Sequence, residues 1–265
     1  MRCYKTSSGP AVFRLTEHMK RLENSAKLYS MPMPYKVDEL VAATKKLISA
    51  NKLDACYIRP IVWRGYGEMG LNPLKAPVEA AIAVWPWGTY LGEEGLKNGI
   101  KVKISSIRRI EPNILPPKAK ATGAYINSIL AKLESLDAGY DEAILLDVRG
   151  LVSEGPGENL FIVKDGVLKT PTESSSILAG ITRQSVITLA KDMDIEFKEC
   201  DISRDMLGSA DEAFFTGTAA ELTPIRQIDT IEIGKPGPIT KKLQDKFFEV
   251  VAGKDKKYKS WLEAV

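Results

Sequence analysis

The chain has 265 residues, enough for one or two domains built around a large core. Apolar residues make up 44% and charged residues 27%, and the formal charge is only +3; this ordinary globular balance leaves no block to act as a nucleic-acid arm. Cys3, Cys56 and Cys200 form no CxxC pair and no apolar run reaches the length of a membrane span. The sequence therefore predicts no metal site, no disulfide framework, no membrane partner, no signal peptide and a reducing cytoplasm.

Residues 16–29 read as an amphipathic helix, with Met19, Leu22 and Ala26 at helical spacing and Thr16 placed to cap it. Residues 38–50 repeat the pattern through Leu40, Val41, Leu47 and Ile48. Strand-like runs over 55–63 and 78–85 make the first third α+β. Glycines 88, 92, 95 and 99 mark residues 87–99 as a connector. Beyond it the pattern predicts a strand over 100–107, a helix over 123–136, and strands over 143–148 and 159–168, the second turning at Asp165-Gly166. A helix over 182–193, strands over 195–199 and 212–216, and a last helix over 239–251 complete the expectation. The predicted organisation is a small domain (1–87), a connector (88–99) and a large domain (100–265), two α+β lobes with a site between them.

The most informative segment is Ser153-Glu154-Gly155-Pro156-Gly157-Glu158-Asn159, two carboxylates around a tight turn just before an apolar strand. Alone it reads equally well as an acidic surface hairpin. Three companions add chemistry. Lys118-Ala119-Lys120-Ala121-Thr122-Gly123-Ala124-Tyr125 offers an amine, and of its two lysines Lys120 stands nearer the start of the helix. Gly180-Ile181-Thr182 begins a helix, whose free N–H groups favour an anion, although a plain threonine cap is the simpler reading of that segment by itself. Thr216-Gly217-Thr218-Ala219-Ala220 follows an apolar strand and suits an anion-binding turn. A lysine, a buried acid and two phosphate-ready loops are what a pyridoxal phosphate (PLP) site requires.

Two rival readings fail on context. Gly65-Tyr66-Gly67-Glu68-Met69-Gly70 matches a dinucleotide fingerprint, but Pro73 follows where a helix should begin, so a loop is expected. His18 is the only histidine, which leaves hydrolase triads and histidine metal clusters hard to build.

In this order the segments resemble the branched-chain amino acid aminotransferases of the fold-type IV PLP enzymes. The resemblance runs from Arg2 to the C-terminus. It includes Phe13-Arg14-Leu15 with His18-Met19-Lys20-Arg21-Leu22, Tyr57-Ile58-Arg59-Pro60, Gly67-Glu68-Met69-Gly70 with Asn72-Pro73, and Pro86-Trp87-Gly88-Thr89-Tyr90-Leu91-Gly92. It implies a two-lobed α+β fold with a barrel-like sheet in the larger lobe. It further implies that Lys120 forms the Schiff base with PLP, Glu154 pairs with the ring nitrogen and Tyr125 meets the phenolic oxygen. Arg21, Ile181, Thr182 and Thr218 match phosphate-binding positions; Tyr57, Arg59, Tyr90, Thr218 and Ala219 match positions around the substrate carboxylates. Met69 and Leu71 match a loop that closes a neighbouring subunit's pocket, which implies a homodimer or larger homo-oligomer.

The implied reaction is transamination of leucine, isoleucine and valine with 2-oxoglutarate, amino and 2-oxo acids being the only partners. Family members carry opening strands before the segment matching Arg2-Cys3-Tyr4, so the small lobe is expected to lack its first strands. Three alternatives stay open: a D-amino acid aminotransferase, an aminodeoxychorismate lyase, or an inactive PLP-binding homologue.

Overall fold

The opening residues form a hairpin in which β1 (Arg2–Thr6) and β2 (Gly9–Phe13) pair antiparallel, the reversal eased by Gly9 at φ 109°. In this computed structural model, which describes residues 1–265, two helices follow, α1 (Leu15–Leu28) and α2 (Val37–Ala50). Then come β3 (Cys56–Arg64) and β4 (Val78–Trp85), an antiparallel pair in register from Tyr57 opposite Trp85 to Arg64 opposite Val78. The stretch with the fingerprint-like glycines, residues 65–70, is a loop between them. Val12, Leu15, Met19, Leu40, Ile48 and Ile58 form the core of this unit.

Thr16 does not cap α1. Arg14, in the left-handed region at φ 50°, holds that position, and the backbone N–H and Oγ1 of Thr16 donate to the Glu263 carboxylate at 2.7 and 2.9 Å. The reason lies far along the chain. The C-terminal strand Leu262–Ala264 pairs with β2, giving a five-stranded sheet ordered Leu262–Ala264, β2, β1, β3, β4. Residues 249–265 thus group with Met1–Trp87, and Gly88–Phe248 form the other compact unit. The large domain expected over 100–265 loses its C-terminal segment to this long-range pairing.

The second unit starts in the glycine-rich stretch, which holds a short helix, α3 (Gly92–Asn98), rather than a plain connector. Next come β5 (Ile100–Arg108), α4 (Tyr125–Asp137), β6 (Glu142–Leu146), β7 (Asn159–Lys164) and β8 (Val167–Thr170). After these lie α5 (Ile181–Asp192), β9 (Phe197–Glu199), α6 (Arg204–Gly208), β10 (Glu212–Gly217), β11 (Glu221–Ile228), β12 (Ile231–Glu232) and α7 (Pro238–Val251). The strands make a curled half-barrel ordered β6-β5-β11-β10-β7-β8-β9, with β12 on β11. Its centre is antiparallel, whereas β6, β5 and β11 run parallel.

Strand alternation sorts the barrel's two faces. Leu160, Ile162, Ala213 and Phe215 join one apolar cluster, while Phe161 and Phe214, in register across β7 and β10, stack at 5.1 Å on the other side. Such a ring pair adds about 1 kcal/mol beyond its area burial. It also holds the start of β7 in fixed register with the end of β10, and the candidate site lies at those strand ends.

Candidate active site

Glu154 lies between β6 and β7, and its carbonyl accepts from the Leu145 N–H at 2.9 Å. Its side chain is buried. Oε1 pairs with Arg109 Nη2 at 2.8 Å, and Oε2 accepts from Asn159 Nδ2 and the Leu178 N–H, both at 3.0 Å. Burial pushes its pKa up to about 7, against the opposing pull of Arg109, the Leu178 amide and the nearby Lys120 charge. Gly155 then admits a close turn: an added Cβ would lie 2.8 Å from Glu158 Oε2 and 3.0 Å from the Phe215 ring. Glu158, at the far end of the turn, is also buried and is pushed up to about 8 by burial and by the Glu142 charge.

Lys120 and Tyr125 meet across the start of α4. A single 3-10 turn, Thr122–Ala124, precedes the helix, and Lys120 Nζ donates to Tyr125 Oη at 2.6 Å. Lys118 faces elsewhere, paired with Glu173 at 2.9 Å.

Gly180 occupies the N-cap position of α5, with Ile181 and Thr182 buried in its first turn. The Gly180 N–H donates to Asn159 Oδ1 at 3.1 Å. Thr218 and Ala219 sit half-buried in the turn joining β10 to β11. That turn neighbours the Gly-Pro-Gly turn, because a Cβ added at Gly217 would lie 3.3 Å from the Gly157 carbonyl oxygen. Tyr90 lies beneath Lys132, whose Nζ is 5.8 Å from the ring centroid and pairs with Glu142 at 2.8 Å.

The remaining candidates belong to the first unit. Arg21 Nη2 lies 3.3 Å from His18 Nδ1 on α1. Tyr57 and Arg59 alternate onto one face of β3, where Tyr57 packs against Trp85 and Trp87 at 5.3 and 4.2 Å and the Arg59 guanidinium lies 5.5 Å over Trp85.

The second unit therefore brings together Lys120, Tyr125 and Glu154, with Ile181 and Thr182 tied to the same network through Gly180 and Asn159. An amine, a buried acid held by a guanidinium and a helix N-terminus can hold a phosphorylated aldehyde whose ring carries a basic nitrogen. Sequence reasoning passed over Arg109, Leu178 and Asn159. Nothing local marks Arg109 or Leu178, which reach Glu154 from distant segments. Asn159 did carry a signal, as the one polar residue at the head of an apolar strand in a motif already singled out.

Residues 2–228 match the family described as Amino-transferase class IV. The branched-chain-amino-acid aminotransferase of Escherichia coli (strain K12) is 47% identical over 268 residues, which span 100% of this chain and 87% of that one. The Pseudomonas aeruginosa enzyme of the same name is 48% identical over 263 residues, 98% of this chain and 85% of that one. The crystal structure of the E. coli branched-chain amino acid aminotransferase superposes with a TM-score of 0.97 at 48% identity, covering 99% of this chain and 87% of that chain. The branched-chain amino acid aminotransferase from Thermobaculum terrenum, in its PLP-form, gives 0.93 at 39% identity, covering 98% and 86%. With that much of the sequence and backbone shared, the chain belongs to the class IV aminotransferase family.

Proposed function

We propose that this chain is a PLP-dependent aminotransferase that moves the amino group of leucine, isoleucine or valine onto 2-oxoglutarate, yielding branched 2-oxo acids and L-glutamate. The observation that carries the reading is the buried Arg109–Glu154 pair, whose carboxylate feels the charge of the Lys120 amine that is itself bonded to Tyr125. The relatives' shared name supports the substrate class. PLP, when bound, supplies an aldehyde to take the amino group and a ring to accept the electron pair left at Cα.

The chain's own residues do the rest. Lys120 offers the amine that holds the aldehyde and, once freed by the incoming amino acid, moves the α-proton. Tyr125 is hydrogen-bonded to that amine and orients it, and it would meet the phenolic oxygen of the bound cofactor. Glu154 keeps a proton on the ring nitrogen. The first turn of α5 at Ile181 and Thr182, together with Thr218 and Arg21, holds the phosphate. Tyr57, Arg59, Tyr90, Thr218 and Ala219 receive the substrate carboxylates. Arg59 takes the side-chain carboxylate of glutamate through charge-assisted hydrogen bonds.

The same reading makes the protein a cytoplasmic homo-oligomer. Helix α4 leaves Ile126, Ile129, Leu130, Leu133 and Leu136 about half exposed or more, one apolar stripe at helical spacing that a second copy would cover. Met69 and Leu71 are fully exposed in the loop after β3. No helix is long and apolar enough to cross a membrane.

The test is direct. Protein loaded with PLP and given L-leucine plus 2-oxoglutarate should release 4-methyl-2-oxopentanoate. Borohydride should trap the cofactor on Lys120, so that Lys120→Ala loses the trapped label and Lys118→Ala keeps it. A label on another lysine, or turnover of D-amino acids alone, would overturn the proposal.

A further inference from the structure

Asn159 has no part in the chemistry above, yet both N–H donors and the carbonyl oxygen of its side chain are hydrogen-bonded. The residue is buried. Nδ2 donates to Glu154 Oε2 at 3.0 Å and to the Leu178 carbonyl at 2.9 Å, and Oδ1 accepts from the Gly180 N–H at 3.1 Å. These partners fix which way the amide faces. The opposite orientation would set the NH2 group against an N–H and the carbonyl against a carboxylate. The backbone is equally constrained, because Asn159 opens β7 in register with Thr216 of β10. One rigid side chain thus ties the Glu154 carboxylate to the residue that begins α5.

We infer that Asn159 is a positioning residue that locks the ring-nitrogen acid and the phosphate-side helix start into one piece, so the two ends of the cofactor site cannot shift independently. This rests on the PLP reading given above. It touches neither substrate nor cofactor, and it acts through Glu154 and Gly180.

The structure also supplies a way to break the link from its other side. A Cβ added at Gly180 would lie 2.2 Å from Asn159 Oδ1, whereas the next contacts are 3.4 Å to Asn159 Cγ and 3.5 Å to Arg183 Cβ. Alanine at 180 fits only if the Asn159 amide moves. Aspartate at 159 divides the link instead. It keeps an acceptor for the Gly180 N–H but loses both donors and sets a second carboxylate against Glu154.

The experiment titrates the full-length apoprotein with PLP and with pyridoxal, which lacks the phosphate, alongside a pH titration of the bound cofactor's visible absorbance and a thermal melt. Asn159→Ala should weaken PLP about ten- to hundredfold, the scale of one lost hydrogen bond to a charged group, and should lower the ratio of pyridoxal to PLP dissociation constants. Asn159→Asp should keep that ratio near the wild-type value while moving the absorbance midpoint. Gly180→Ala should weaken PLP as Asn159→Ala does, and the double variant should be no weaker than Asn159→Ala alone, whereas independent effects would multiply. Unchanged PLP affinity and absorbance midpoint in Asn159→Ala, or a multiplicative double variant, would overturn the inference while leaving the PLP reading intact. Wild-type protein that traps no PLP would overturn both.

Discussion

The two ends of the Gly-Pro-Gly turn place equally buried glutamates in different electrical settings. Glu154 has a guanidinium at 2.8 Å and two N–H donors. Glu158 has the Gly157 N–H at 3.0 Å and no paired cation, and it feels the like charges of Glu142 and Glu154 with only a partial offset from Lys132 at a distance. Burial alone raises both carboxyls, so depth says little about role. The nearby cation decides which acid can carry a negative charge when a second cation, such as a protonated ring nitrogen, arrives. Four positions apart in sequence, one acid is paired with a guanidinium and the other is not.

The sharpest way to break this comparison is to neutralise each acid in turn. Glu154→Gln should retain PLP but cut turnover about 10²-fold or more, the scale of losing one preorganised electrostatic contact. Glu158→Gln should change turnover far less, because a group with a pKa of about 8 already holds its proton at pH 7. Steady-state kcat for the two variants decides this, and equal losses would erase the distinction.

Arg109 sharpens it further. The folded pKa of Glu154, about 7, lies above the ordinary carboxyl value of 4.5. Between those values the folded form keeps a proton that the unfolded chain has released, so the Glu154 contribution to stability declines as pH rises through that window, by on the order of 3 kcal/mol. Removing Arg109 raises the pKa again and extends the window upward. Urea unfolding of Arg109→Met apoprotein should therefore show a loss that grows between pH 5 and pH 8 by up to about 1.4 kcal/mol, one pH unit past the folded pKa of about 7. A loss independent of pH would mean that the pair does not control Glu154.

Much of this contrast was legible in the chain. Asp165 and Gly166 do adopt positive φ, 52° and 76°, at the β7–β8 hairpin, because that turn chemistry is local. The α5 start, the Lys120 segment and the acidic turn were visible for the same reason, as were α1, α2 and β4. The strands β1, β2, β11 and β12, the short helix α6 and the C-terminal strand were not. Their pairing is long-range: Leu262 finds Phe13, and β11 carries Pro224, which masks it as a central strand. The misplaced cap at Thr16 has the same origin in Glu263. Motifs singled out Lys120 and Glu154 as candidates, but the groups that surround the Glu154 carboxylate arrive from residues 109 and 178, and no spacing rule connects them.

Smaller effects bear on the exposed parts of the molecule. Arg59→Ala should lower kcat/KM for 2-oxoglutarate about ten- to hundredfold while sparing 4-methyl-2-oxopentanoate, as expected for one lost hydrogen bond to a charged group. Equal losses for both acids would remove Arg59 from substrate selection. Leu133→Glu on α4 should lower the mass seen by light scattering toward that of a monomer at micromolar concentration, with the fold intact by circular dichroism. An unchanged mass would place the subunit contact elsewhere.

The most direct test of the account is 15N NMR of PLP labelled at the ring nitrogen and bound to wild type and Glu154→Gln at neutral pH. A ring nitrogen that is protonated in wild type and unprotonated in the variant is the predicted result. The same protonation state in both proteins would contradict the role given to Glu154 and to the residues that hold it.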